Sequence, residues 1–276
     1  MNPRYFFSLF LCACIALLIL AGGLVTSHQA GLAVPDWPLS YGQLMPPMVG
    51  NIFWEHGHRM IAGCTGILTL IIAVWTQLQE KRRWFKKLAW ISFGAVVLQA
   101  LLGGLTVLLM LPPPVSIFHA CLAQTFFCLA VWMAYGLSPY YDDRREPCSR
   151  TTRLAIITTV LIYLQLILGA VVRHTHHGIE AHVVVGILAL IHLYLIANLL
   201  LHEAGSDILL SRAALALAVL GLVQPVLGVG SWIQAHWLPQ QTAPSLVRVI
   251  FTAAHQTTGA WILALSFLVT LRVCKK

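Results

Sequence analysis

Four histidines and one glutamate are the residues of this chain best suited to chemistry. His58, His119, His182 and His255 each fall a few residues inside one end of a long apolar run. Imidazole is the commonest metal-ligating side chain. Imidazoles offered in pairs suit the iron of a heme, which takes axial ligands two at a time, better than zinc, which wants four. The stretch Glu55-His56-Gly57-His58-Arg59 adds an acid. Glu55 and His58 are three residues apart and share a helix face. A buried glutamate there can act as a general acid or base, or it can pair with Arg59, its i+4 neighbour.

These side chains must be carried by apolar helices. Hydrophobic residues make up 59% of the 276 positions and charged residues only 9%, and the mean hydropathy is +0.81. Soluble domains carry about 25% charged residues, so a soluble globular protein is excluded. A disordered or nucleic-acid-binding chain is excluded with it, since both need charge-rich stretches. A spanning helix needs about 20 mostly apolar residues. Eight runs qualify, near 5–26, 53–77, 88–111, 115–137, 153–173, 181–202, 212–235 and 247–272. The first exceeds a signal-peptide core and has no clean cleavage site after it, so it reads as a retained helix.

Lysine and arginine orient the spans. With both termini in the cytoplasm, all of the 17 basic residues except Arg59, Arg173 and Arg248 fall on the cytoplasmic side. The histidines are biased the other way. Of the 12, only His192 and His202 lie away from the outer ends of the spans. Sorting by positive charge does not act on neutral imidazole, so ligation near the outer face is the natural cause. The seven cysteines sit mostly in apolar runs with no CxxC, and read as small buried hydrophobes.

The chain is internally duplicated. Gly22-Gly23-Leu24-Val25 with Gly31-Leu32 returns 147 residues later as Gly169-Ala170-Val171-Val172 with Gly178-Ile179. A Gln-x-x-x-Gly motif recurs at Gln99/Gly103, Gln165/Gly169 and Gln224/Gly228. Its spacing puts both residues on one helix face, which reads as a helix-packing device. Two four-span units in the same orientation imply a pseudo-two-fold axis along the membrane normal. The expected architecture is an all-α integral membrane protein of eight transmembrane helices in two four-helix bundles, residues 1–150 and 151–276. The alignment pairs His58 with His182 and His119 with His255, one on the second and one on the fourth helix of each unit.

The halves then diverge. The second has Ile179 and Val183 where the first has Glu55 and Arg59, and Glu180 is out of register. The first outer loop is long and rich in proline and aromatics, from Ala30 through Asp36-Trp37-Pro38 to Pro46-Pro47. Its counterpart at 174–180 is short and histidine-rich. One half is elaborated for reaction, the other reduced to holding a cofactor.

The glycine-rich end of span 1, Gly31-Leu32 followed by Asp36-Trp37-Pro38, and Glu55-x-x-His58-Arg59 together resemble the heme A synthase family. Gln165-x-x-x-Gly169-Ala170-x-Val172-Arg173-His174-Thr175 and the histidines of spans 4, 6 and 8 resemble it too. The resemblance implies an oxidoreductase acting on CH or CH2 groups, which converts the C8 methyl of heme O to a formyl group by successive hydroxylations. It implies His182 and His255 as axial ligands of a resident heme b, and His58 and His119 as the pair facing the substrate heme beside Arg59. Glu55 would be the catalytic acid. Arg173 and Arg248 would bind heme propionates. The implied partners are heme O, the farnesyltransferase that makes it, an electron acceptor, the lipid bilayer of the cell membrane and a second copy of the chain; nucleic acid is not among them. The first outer loop lacks the cysteine pair that many members carry there. The competing reading is a bis-histidine b-type electron carrier, which needs neither Glu55 nor the long loop.

Overall fold

The computed structural model describes residues 2–141, 149–203, 207–237 and 244–274. The basic stretch from 142, with Cys148, and the terminal Lys275 and Lys276 lie outside the described residues. Eight α-helices account for nearly everything else: α1 (Pro3–Ser27), α2 (Gly50–Gln79), α3 (Arg83–Leu108), α4 (Pro113–Leu137), α5 (Ser149–Thr175), α6 (Ile179–Glu203), α7 (Ile208–His236) and α8 (Leu246–Val273). All eight are long and apolar enough to cross a membrane. The ends are marked by local chemistry. Asn2 caps α1 through the Arg4 N–H, with Pro3 at the first helical position. Asp207 accepts from the Leu209 and Leu210 N–H groups to start α7, and Ser245 accepts from Arg248 N–H to start α8.

Several helices begin or end a few residues beyond the expected spans, and two of these boundaries are instructive. Helix α3 begins at Arg83 rather than near 88, taking in Lys86 and Lys87. Helix α5 runs on to Thr175, so His174 is helical and only 176–178 connect α5 to α6. Hydropathy marks the part of a helix that sits in lipid; arginine and lysine are good helix formers and let the helix continue past it. His176 (φ 61°) and Gly178 (φ 85°) take left-handed conformations that turn the chain in three residues.

Helix neighbours fall into two rings. In the first, α1 packs on α2, α2 on α3, α3 on α4 and α4 on α1; in the second, α5 packs on α6, α6 on α7, α7 on α8 and α8 on α5. The rings meet along α1–α8, α4–α5 and α4–α8. Exchanging one quartet for the other carries α1–α8 onto α5–α4 and α4–α8 onto itself. One apolar core, built around Ile15, Ile72, Phe85, Phe126 and Met133, fills the first ring. A second, around Leu193, Ile196, Leu217 and Leu263, fills the other. Ala260 and Ala264 of α8 join the first core, and Phe127 of α4 meets Trp261 of α8 edge-on at 5.3 Å.

The end of the bundle opposite the four histidines is tied by charge. Glu80 takes Arg82 at 3.0 Å and Arg4 at 3.5 Å. The hydrogen bond from the Arg82 side chain is the main cause holding the Glu80 carboxyl down at about 2. In the second ring Arg272 pairs with buried Asp207 at 2.9 Å and reaches the Tyr140 carbonyl.

Candidate functional site

Each of the four histidines lies in the first three turns of an even-numbered helix, and each ring rests on a glycine of the helix before it. A Cβ built on Gly22 of α1 would come within 3.1 Å of His58 Cε1. On Gly103 of α3 it would meet His119 at 3.0 Å, on Gly169 of α5 His182 at 3.0 Å, and on Gly228 of α7 His255 at 2.9 Å. Contacts that short are repulsive, so a methyl group at any of the four would displace the ring or the helix. The glycines of the repeat are therefore histidine seats.

The glutamines one turn before three of these glycines complete the seat. Gln99 Nε2 donates to the His119 carbonyl at 3.0 Å and lies 3.3 Å from ring Nε2. Gln165 Nε2 lies 3.3 Å from His182 Nε2. Gln224 Nε2 donates to the His255 carbonyl at 3.2 Å, while His255 Nδ1 approaches the Gln224 carbonyl at 3.2 Å. The motif expected to pack helices together instead fixes an imidazole on the next helix. Spacing alone displays the shared face; it does not say what the face receives.

The rings come together in pairs. His182 and His255 stand 6.2 Å apart between centroids with planes at 82°. His58 and His119 are within electrostatic reach of one another. Nδ1 of His58, His119 and His182 is buried with no hydrogen-bond partner, as is Oε1 of Gln99, Gln165 and Gln224. Buried polar atoms rarely go unpaired, so six orphans around two histidine pairs mark places where something polar or metallic belongs. Among the described residues no three His, Cys, Asp or Glu side chains converge, so a closed zinc-type cage is not the arrangement on offer.

Over the first pair the chain builds a latch. Glu55 is only 3% exposed. Its Oε2 accepts from the Val34 N–H at 2.8 Å, and its Oε1 takes Arg59 at 2.6 Å. Arg59 then donates to the loop carbonyls of Asp36 (2.7 Å), Leu39 (2.8 Å) and Val34 (3.3 Å). One carboxylate and one guanidinium thus clamp residues 34–39 against α2. Asp36 closes the next turn, accepting from the N–H groups of Tyr41 (2.6 Å) and Gly42 (2.8 Å). The Gly42 bond is the leading cause holding its carboxyl below the ordinary range. Trp37 lies flat against α3, where a Cβ on Gly104 would come within 2.5 Å of the indole. His28 stacks on Trp54 at 4.1 Å, and burial holds its imidazole below the usual value.

The sequence singles out Glu55 and Arg59 but gives no sign that the arginine grips loop carbonyls twenty or more positions away. It also misses Ser40 Oγ on His56 Nδ1 at 2.8 Å, both buried. Nothing in their separation announces the contact.

Among the described residues the second pair has no such latch. Arg173 of α5 donates to Ser27 of α1 at 2.8 Å, and Ser27 bonds Thr252 of α8 at 2.9 Å. Arg248 lies near enough for its charge to oppose that of Arg173. Among the described residues no carboxylate pairs with either arginine. Two neighbouring guanidiniums without an acid favour an anionic group. Glu180 is exposed, as are His176 and His177, while His174 is half-buried in the last turn of α5.

Eight apolar helices with histidine pairs seated between them define a polytopic membrane protein, and inward-facing positions of helix bundles are where cofactors are commonly held. The cytochrome oxidase assembly protein family matches residues 48–185, half of the chain, and the chain belongs to that family. A heme A synthase of Exiguobacterium sp. is 29% identical over 177 residues, 61% of this chain and 57% of the relative. One from Symbiobacterium thermophilum is 31% identical over 172 residues, covering 59% and 56%. One from Geobacillus kaustophilus is 29% identical over 170 residues, covering 58% and 52%. The chain thus matches a little over half the length of these relatives.

Proposed function

We propose that this chain oxidises the C8 methyl of heme O to a formyl group by successive hydroxylations, yielding heme A. Residues 1–150 form the substrate half, where His58 and His119 face heme O. Residues 151–276 hold a resident heme b between His182 and His255. One observation carries the assignment of roles: two histidine pairs are seated in the same way, but among the described residues only the first lies beside a buried carboxylate under a latched loop.

The residues fit a heme. Supporting this are paired imidazoles with unpartnered ring nitrogens, glycines that leave their edges clear, and the Arg173–Arg248 pair for propionates. The resident heme, when bound, supplies one-electron transfer. Glu55 is the buried carboxylate at the histidine end, since Asp36 and Glu180 are not buried, and it is the group that holds or moves a proton beside the substrate. Arg59 orients that carboxylate and draws the loop over the site, limiting water. The excess of lysine and arginine at the other ends of the helices supports cytoplasmic termini in the cell membrane. Electrons leave to an acceptor, and heme O arrives from the farnesyltransferase that makes it. A two-heme electron carrier has no use for the latch.

The test is pyridine hemochrome analysis of membranes from cells co-expressing the chain and a heme O source. Heme A should appear with the intact chain. An unchanged porphyrin alongside a normal b-type spectrum would leave the carrier reading in its place.

A further inference from the structure

Three of the four histidine seats carry a glutamine, and the fourth does not. The residue one turn before Gly103, Gly169 and Gly228 is Gln99, Gln165 and Gln224; one turn before Gly22 it is Leu18, which is buried. Among the described residues no hydrogen bond reaches the His58 ring, and its Nδ1 is buried without a partner.

The seats are also graded between the halves. The residue one turn after His182 is Gly186, and after His255 it is Gly259. A Cβ on Gly186 would meet Gln165 Nε2 at 2.8 Å, and one on Gly259 would meet Gln224 Nε2 at 3.2 Å. In the first half those positions are Ala62 and Ala123. The second pair therefore has two glutamines, each with a glycine cleared for its amide. The first pair has one glutamine and no such glycine.

We propose that Gln99, Gln165 and Gln224 are positioning residues that hold their histidines against a bound heme, and that His58, lacking such an amide, is the ligand that lets go. The substrate heme then exchanges by breaking its bond to the His58 imidazole while His119 keeps hold. The resident heme has no such exit because both of its histidines are tethered. No electron or proton need move in this step; an iron–nitrogen bond opens and later re-forms. The inference rests on the functional reading above, which makes one heme transient and the other permanent.

The experiment follows carbon monoxide binding to the reduced, heme-loaded protein in detergent, together with heme transfer to excess apomyoglobin. Wild type should show a fast-exchanging and a slow-exchanging heme. Leu18→Gln, which supplies the missing amide, should slow the fast phase by about tenfold, roughly the worth of one buried hydrogen bond, and leave the slow phase alone. His58→Ala should keep its heme and bind carbon monoxide without waiting for a ligand to leave, whereas His119→Ala should lose that heme; this pair decides the matter if Leu18→Gln does not fold. The reverse pattern, or an unchanged fast phase in Leu18→Gln protein that still holds two hemes, overturns this inference alone. A wild-type protein that binds no second heme overturns the functional reading and this one with it.

Discussion

The two helix quartets seat their histidines alike and finish them differently. In α1–α4 the site is closed by 22 residues between helices, from His28 to Val49, pinned by Glu55, Arg59 and Trp37. In α5–α8 the corresponding connection is three residues long, and the nearby charge is a pair of arginines that no carboxylate pairs with among the described residues. The duplicated part is what grips a ring. The part that differs decides whether the ring sits beside a buried carboxylate or beside a pair of arginines.

The comparison breaks most visibly at the second pair. His182→Ala or His255→Ala should abolish stably bound heme b, read from the reduced spectrum of purified protein; a full low-spin signal would remove that pair from its role. Next in size is Glu55→Gln, which should lower heme O conversion by about 10²–10⁴-fold, the usual worth of a positioned acid or base. Its b-type spectrum should stay normal. Loss of heme b in this variant would mean the halves are not divided as proposed.

Smaller effects sharpen the contrast. Gly104→Ala forces Trp37 off α3 and should destabilise the first half by about 1–3 kcal/mol, seen as faster proteolysis of residues 30–48 with the second half's heme retained. The smallest is a pH effect confined to the first loop. The Asp36 carboxyl is lowered by its Gly42 and Tyr41 N–H partners. Its contribution is therefore complete above the ordinary carboxylate range and lost as pH falls through the lowered value. Amide exchange at Tyr41 and Gly42 should rise on acidification and should already be high in Asp36→Asn. The 176–178 turn, which no carboxylate holds among the described residues, should not follow.

Much of this was legible in the sequence because membrane burial writes itself in long apolar runs, and a duplication shows as a repeated offset. The eight helices and the special standing of Glu55 both come from such local patterns. The boundaries at Arg83 and Thr175 did not, since helix and lipid-buried span are different things. The Arg59 grip on loop carbonyls and the Ser40–His56 bond were invisible, because a loop has no periodicity to reveal its partners. The Gln-x-x-x-Gly motif is visible in the sequence but spells only a shared helix face; the position of the next helix shows that an imidazole fills the space above the glycine.

A repeated architecture invites the thought that each copy is an independent module, and the Arg173–Ser27–Thr252 chain argues otherwise. Ser27 belongs to the first copy, yet it satisfies a guanidinium of the second and bonds a threonine on a third helix. A severed second copy would strip the cover of α1 and α4 from α8 and leave that arginine without its hydroxyl. The two scaffolds repeat one plan, but the seam between them is built from both, so the second is incomplete without the first.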